Sequence, residues 1–212
     1  MKEYRSWYLE KQALKAVKAL NANGMNAFYT QTAQEAKKMV MDMVEEGKIV
    51  GFGGSTTLVE IGLVEELTLG NYQIINPMGN IPLDEKTSLR RQAMTADYYF
   101  TSTNAITQDG RLVNIDGTGN RVASMVFGPK HVIIIAGFNK ITRTLEDALS
   151  RAKEEAAVIN AKKLNRNTPC TITGECSNCQ SKDRICNITT IIEKKPSATE
   201  MTVIIIGEEL GY

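Results

Sequence analysis

Two spacings of apolar residues alternate along this chain. From residue 9 to residue 20, Leu9, Ala13, Ala16, Val17 and Leu20 fall three and four apart, a helical face that Gly24 ends. A short strand is predicted at 27–29. Thr32 and Glu35 then have capping-box spacing, and Ala36, Met39, Val40 and Met43 carry a helix on to Gly47. The run 49–52 predicts a buried strand that passes through Gly53-Gly54-Ser55 into another helix. Strands follow near 73–75 and at 98–101, with a helix near 87–94 between them. Asp109-Gly110, set between Ile106 and the run 112–115, has the chemistry of a hairpin turn. Helix is predicted at 122–127, stopped by Gly128-Pro129, and a continuous apolar strand at 132–136. A long helix at 145–164 turns Leu145, Ala148, Leu149, Ala152, Ala156 and Ile159 inward, and 203–206 predicts a last buried strand.

Strands that alternate with helices predict an α/β chain. The expected architecture is a mainly parallel sheet with helices on both faces and right-handed crossovers, joined by a local antiparallel hairpin. The pattern shows no repeat or linker, so residues 1–212 read as one domain. The one break in composition is at Asn165, which opens a loop over 165–190. Sheets of this kind bind ligands beyond the carboxyl ends of their strands, which directs attention to the loops after Phe52, Thr101 and Ala136.

Composition narrows the function. A chain of 212 residues with 42% apolar and 23% charged content can bury a sizeable core. A net charge of +1 and 6% aromatic residues give no general pull toward nucleic acid and little base-stacking surface. No apolar run reaches the roughly 18 residues of a membrane span, and residues 1–10 lack the apolar stretch of a signal peptide. A cytoplasmic location is therefore expected, and no membrane partner.

The first chemical signal is the loop Gly53, Gly54, Ser55, Thr56, Thr57. Glycines let backbone approach a ligand, and amides and hydroxyls at a helix start suit phosphate or carboxylate. It is neither a Walker loop nor a dinucleotide fingerprint. Glu60, one turn on, is a candidate base or nucleophile, though Thr57 and Glu60 also have capping-box spacing. The polar segment after Thr101 adds Ser102, Asn104, Asn114, Asp116, Asn120 and Arg121 as ligand candidates, Arg121 as a fork for carboxylate or phosphate. Lys140 stands where the strand at 132–136 should end, at the expected site. His131 is the single histidine, which excludes a His-rich metal centre and argues against a Ser-His-Asp hydrolase.

Cys170, Cys176, Cys179 and Cys186 are the only cysteines and fall within 17 residues, separated by five, two and six residues. In a reducing compartment four such thiols read as a metal site, with disulfides or free thiols as the alternative. Zinc and a [4Fe–4S] cluster both fit, and the spacing does not choose between them. Lys163, Arg166, Lys182 and Arg184 are placed to offset thiolate charge.

Four stretches together resemble the lactate-utilisation (LUD) domain family, whose members include lactate-utilisation protein C. They are 51–62 (GFGGSTTLVEIG), 96–121 (ADYYFTSTNAITQDGRLVNIDGTGNR), 127–140 (FGPKHVIIIAGFNK) and the cysteine segment 169–187. The resemblance implies the fold shared by ribose-phosphate isomerase, glucosamine-phosphate deaminase and coenzyme A transferases, whose Gly-Ser-Thr loop holds phosphate or nucleotide groups. That role falls by position on residues 53–57. It also implies a part in oxidising L-lactate to pyruvate beside iron–sulfur partner proteins, and it favours an iron–sulfur cluster over zinc. The cysteine tail sets this chain apart from the shorter lactate-utilisation form. Three functions are expected to compete. One is an accessory subunit of an organic-acid-oxidising system that binds a small anionic or phosphorylated ligand, as monomer or oligomer. Another is an isomerase or transferase acting on a sugar phosphate or acyl-coenzyme A, with Asp116 or Glu60 as its carboxylate. The last is a ligand sensor with a structural metal.

Overall fold

The continuous apolar runs form the middle of a sheet covered on both sides. The computed structural model describes residues 2–212; Met1, at the head of the charged N-terminal stretch, lies outside the described residues. In chain order come α1 (Lys2–Ala22), β1 (Asn26–Thr30), α2 (Ala33–Met43), β2 (Ile49–Phe52), α3 (Thr56–Glu60), α4 (Leu63–Leu69), β3 (Gln73–Ile75), α5 (Leu83–Ala93) and β4 (Tyr98–Thr101). Then follow β5 (Ala105–Thr107), β6 (Leu112–Asp116), α6 (Asn120–Phe127), β7 (His131–Gly137), a 3-10 turn (Phe138–Lys140) and β8 (Ile141–Thr142). A continuous helical stretch is α-helical at both ends, α7 (Leu145–Ser150) and α8 (Ala157–Lys163), with a π-helical middle at Arg151–Ala156. After it come α9 (Cys170–Thr173), β9 (Ile188–Ile192) and β10 (Glu200–Ile206).

Six strands in the order β1-β10-β7-β4-β2-β3 make an all-parallel sheet. The period-two alternation of the strands divides the core. Val132, Ile134 and Ala136 of β7, with Val203 and Ile205 of β10, pack toward Ala13, Ala16 and Leu20 of α1, Ala93 of α5 and Met125 of α6. Their neighbours Ile133, Ile135, Ile204 and Ile206 face Ala36 and Val40 of α2, Leu58 of α3, and Leu63 and Leu67 of α4. Each fully buried side chain of this kind contributes about 1.5–3 kcal/mol relative to exposure, so the central strands are the stable frame.

The hairpin forms where Asp109-Gly110 predicts it, with Gly110 at φ 83°. It does not extend the parallel sheet, however. It makes a second sheet, ordered β8-β5-β6-β9, mixed in direction. One face, through Ile106, Leu112 and Ile192, joins the core beneath α1; the other, through Ala105 and Val113, packs on Ala148 and Ala152. Strand β9 and the short α9 fall inside or next to the segment whose composition predicts only loop. Ile188 to Ile192 lies half-exposed at an edge, without the strict alternation that marks a strand.

Three local expectations change. Thr32 accepts from the Glu35 amide, but the Glu35 carboxylate accepts from Gln31 and not from the cap residue, so the box is half formed. Ser55, not Thr57, caps α3, accepting from the Leu58 amide at 3.2 Å; the Thr57–Glu60 box is absent. Ile159 is 42% exposed, while Val158 and Ala161 point inward. The π-helical turns hold more residues per turn than the 3.6 that the pattern assumes, which rotates α8 out of phase with α7.

Candidate functional site

The carboxyl ends of β2, β4 and β7 open into one cleft of about 470 Å³. Each of the three loops singled out by chain order contributes to it: Gly54, Ser55 and Thr56 after β2, Ser102 to Asn104 after β4, and Lys140 after β7. Asp116, Asn120 and Arg121 also line it. Gly53, Thr57 and Asn114 do not; they sit behind the wall. The Gly53 amide donates to the Phe100 carbonyl, tying β2 to β4. A Cβ at Gly53 would lie 2.7 Å from the Tyr99 hydroxyl, so glycine is needed there for packing. Gly54 differs: a Cβ there meets nothing within 4 Å, and the space it leaves belongs to the cleft. Because α3 is only five residues long, its dipole adds little, and the loop offers amides and hydroxyls rather than a helix terminus.

Arg121 is the hub of the floor, and its donors are spent on protein. Nε donates to Asp116 at 3.0 Å, one terminal nitrogen to the Ser102 carbonyl and Asn114, the other to Asn104 Oδ1 and the Ile115 carbonyl. Asp116 pairs with it at 2.7 Å, and its second oxygen accepts from the Val122 amide at the start of α6. Arg121 and Asp116 therefore brace the loops, and neither has a free edge for a ligand. Asn104 and Asn114 are held in the same network. Glu60 is exposed outside the cleft and accepts from the Gly211 amide, anchoring the segment that brings Tyr212 to the wall.

Lys140 is different. It is 3% exposed, and its ammonium donates to Thr57 Oγ1 and Ser102 Oγ, both at 2.9 Å. Among the described residues it makes no ion pair. Burial pushes it down to about 7, with the Arg151 and Arg121 charges pushing the same way and Glu60 opposing.

The wall opposite holds cations that the polar-segment reading misses. Lys86 and Arg90, one turn apart on α5, face the cleft. Lys86 donates to the Gly79 carbonyl, whereas Arg90, half-buried, has no protein partner among the described residues. Lys163 reaches in from the end of α8, donating to Thr56 Oγ1 at 2.6 Å with its ammonium 5.7 Å from the Tyr212 ring centroid. Arg166 lines the edge and pairs with Asp183 at 3.3 Å. The i, i+4 spacing of Lys86 and Arg90 was visible in the sequence, but a solvated helix face has the same spacing.

The four thiols are free and half-exposed. Arg184 gathers part of their loop, donating to the carbonyls of Cys179 and Cys186 and to Cys186 Sγ at 3.4 Å. Among the described residues, no three Cys, His, Asp or Glu side chains come together as a metal-ligand set. The thiols as placed do not fit a four-thiolate centre. The segment does touch the cleft. Ile185 lines it, and Asn187 donates to the carbonyls of Asp116 and Gly117.

A model of the LUD domain matches residues 13–206. The chain belongs to the LUD domain family. At family level it is thus a lactate-utilisation-like protein. Among solved structures, a DUF162 family protein from Deinococcus radiodurans superposes on this LUD domain with a TM-score of 0.53. Identity is 11%, and the match covers 93% of this chain and 98% of that one, a likeness of fold alone. Ribose 5-phosphate isomerase A from Methanocaldococcus jannaschii matches at a TM-score of 0.34 and 16% identity over 63% of this LUD domain and 66% of the isomerase, too slight to carry weight. No curated protein matches the chain. Among the described residues, no helix is long and apolar enough to cross a membrane.

Proposed function

We propose that this LUD domain binds a small anionic metabolite, a carboxylate or phosphorylated compound, as an accessory subunit of an organic-acid-oxidising system. One observation carries the reading: the concentration of positive charge in the cleft. The whole chain is nearly neutral at +1, yet Lys86, Arg90, Arg121, Lys163 and Arg166 line this one depression beside Lys140, and among the described residues lining it the one carboxylate is Asp116, already neutralised by Arg121. Clustered like charges at a concave wall repel one another, and an anion there relieves that repulsion. Arg90, with no protein acceptor among the described residues, is the primary contact. Lys163, Ser55, Thr56 and the open space at Gly54 complete the recess around the ligand.

The experiment is a thermal-shift series with lactate, pyruvate, inorganic phosphate, a sugar phosphate and an acyl-coenzyme A. A ligand at a hundred times its Kd is expected to raise the Tm by roughly 5–10 °C, with the gain reduced in Arg90→Gln and at high salt. Equal shifts from uncharged analogues, or no shift from any anion, would reject the anionic site.

Iron–sulfur loading of Cys170, Cys176, Cys179 and Cys186, with zinc as the alternative, is a separate proposal. Its support is the density of free thiols and the basic Arg184 beside them. It requires the loop 174–187 to rearrange until the four sulfurs converge.

A further inference from the structure

We infer that Lys140 captures its ligand covalently, as an imine between its side-chain nitrogen and the carbonyl carbon of a small anionic oxo compound. This rests on the anionic cleft proposed above and adds a carbonyl group to the ligand's chemistry.

The argument begins with what Lys140 lacks. A buried ammonium needs a counter-charge; among the described residues its hydrogen-bond partners are two hydroxyls, Arg121 and Arg151 are neighbouring cations, and Glu60 is the one opposing charge. That setting favours the free amine, and the downward displacement of its acidity agrees. Thr57 Oγ1 and Ser102 Oγ each accept from Lys140, which uses two N–H donors and leaves an amine's lone pair unclaimed. Ser102, which lines the cleft, lies 2.9 Å from the nitrogen. Gly211 packs over the pair: a Cβ there would meet Thr57 Oγ1 at 2.5 Å and the Lys140 nitrogen at 3.3 Å. Lys140 and Arg90 both line the one cleft, and the amine is held there by Thr57 and Ser102.

The chemistry balances without an oxidant or reductant. The nitrogen lone pair attacks the carbonyl carbon, forming a C–N bond, and the carbonyl oxygen takes up a proton. A second proton, taken from solvent, lets that oxygen leave as water and leaves a protonated C=N bond. The Ser102 hydroxyl is within reach to pass the proton from nitrogen to the departing oxygen. Hydrolysis reverses each step and releases the ligand. Arg90 holds the anionic group, which is either the carboxylate of a 2-oxo acid or the phosphate of a keto sugar.

The test is reductive trapping. The full chain is incubated with pyruvate or with dihydroxyacetone phosphate, treated with sodium borohydride, and mapped by peptide mass spectrometry. One adduct per chain on Lys140 is expected, with lactate, which has no carbonyl, giving none. The probe that labels identifies which anionic group the cleft takes. Lys140→Met should abolish labelling, and Arg90→Gln, which leaves the amine in place, should lower it about tenfold at limiting probe. Adducts scattered over other lysines with none at Lys140 would overturn the inference. So would Tm gains from both probes without any adduct, a result that leaves the anionic site intact. Absence of both labelling and stabilisation would overturn the two together.

Discussion

At the scale of single residues, the cleft sets one strained cation against one satisfied one. The folded-state value for Lys140, about 7, lies below the 10.5 of an exposed lysine. Below about pH 7 both the folded and unfolded chains carry the proton, and the full cost of the buried charge is present. Between there and 10.5 the unfolded chain holds a proton that the folded one has lost, so stability should rise with pH across that window. Lys140→Met is expected to raise the Tm at pH 6 by roughly 2–8 °C, for about 1–2 kcal/mol, and to flatten the alkaline rise; calorimetry at several pH values checks both. Arg121 predicts the reverse. Removing it leaves Asp116 buried without its cation, so Arg121→Met should cost about 3–5 kcal/mol in urea unfolding. A loss under 1 kcal/mol would show the hub to be dispensable. Arg121 was visible in the sequence as an arginine in a polar segment, but whether its fork faced a ligand or its own chain was not. Those acceptors belong to five residues, Ser102 and Asn104 after β4 and Asn114, Ile115 and Asp116 of β6, which only folding brings together around the guanidinium.

At the scale of elements, the joint between β2 and α3 shows how adjacent glycines divide their tasks. Gly53 lies against Tyr99 and Thr101 of β4, and Gly54 against open cleft. Gly53→Ala should destabilise the protein by about 1–3 kcal/mol through overpacking. Gly54→Ala should leave the Tm of the free protein within about 1 °C, yet remove most of the ligand-induced shift, because its methyl enters the ligand's space. Equal behaviour of the two variants would refute this division. The sequence marks both as one glycine-rich turn, since local pattern cannot say which glycine meets protein. The helix over 145–163 makes a similar point. Its apolar period was plain, and Ala148, Ala152 and Ala156 are buried as that period requires. The π-helical middle that turns Ile159 outward has no signature in the spacing. Arg151 in that middle reaches back to the carbonyls of Asn104 and Asn139, so the distortion serves the loops beneath the cleft.

Across the molecule, the second sheet and the cysteine segment together close one side of the cleft. Strand β9 pairs with β6, and Asn187, just before it, holds the Asp116–Gly117 turn. The loop carrying the thiols is thus tethered at both ends, by Asp183 to Arg166 and the Asn167 amide, and by Asn187 to the floor. Protein prepared without oxygen is expected to carry about four irons per chain if the four thiols gather a cluster. One zinc per chain would move the assignment to a structural metal, and metal-free protein with four titratable thiols would remove the centre altogether.

The sequence by itself determined the alternation of strand and helix, the parallel sheet covered on both faces, and the three loops at which a ligand site should open. These follow from local period and from the geometry of parallel strands, which any chain with this pattern must obey. Tertiary structure alone decided which polar side chains brace one another and which face open space. Hydrogen-bond partners of a residue such as Arg121, or their absence around Arg90 among the described residues, depend on segments brought together from distant parts of the chain. The same holds for Lys140: its place in the sequence put it at the site, and the hydroxyls of Thr57 and Ser102 with the cations nearby gave it its character.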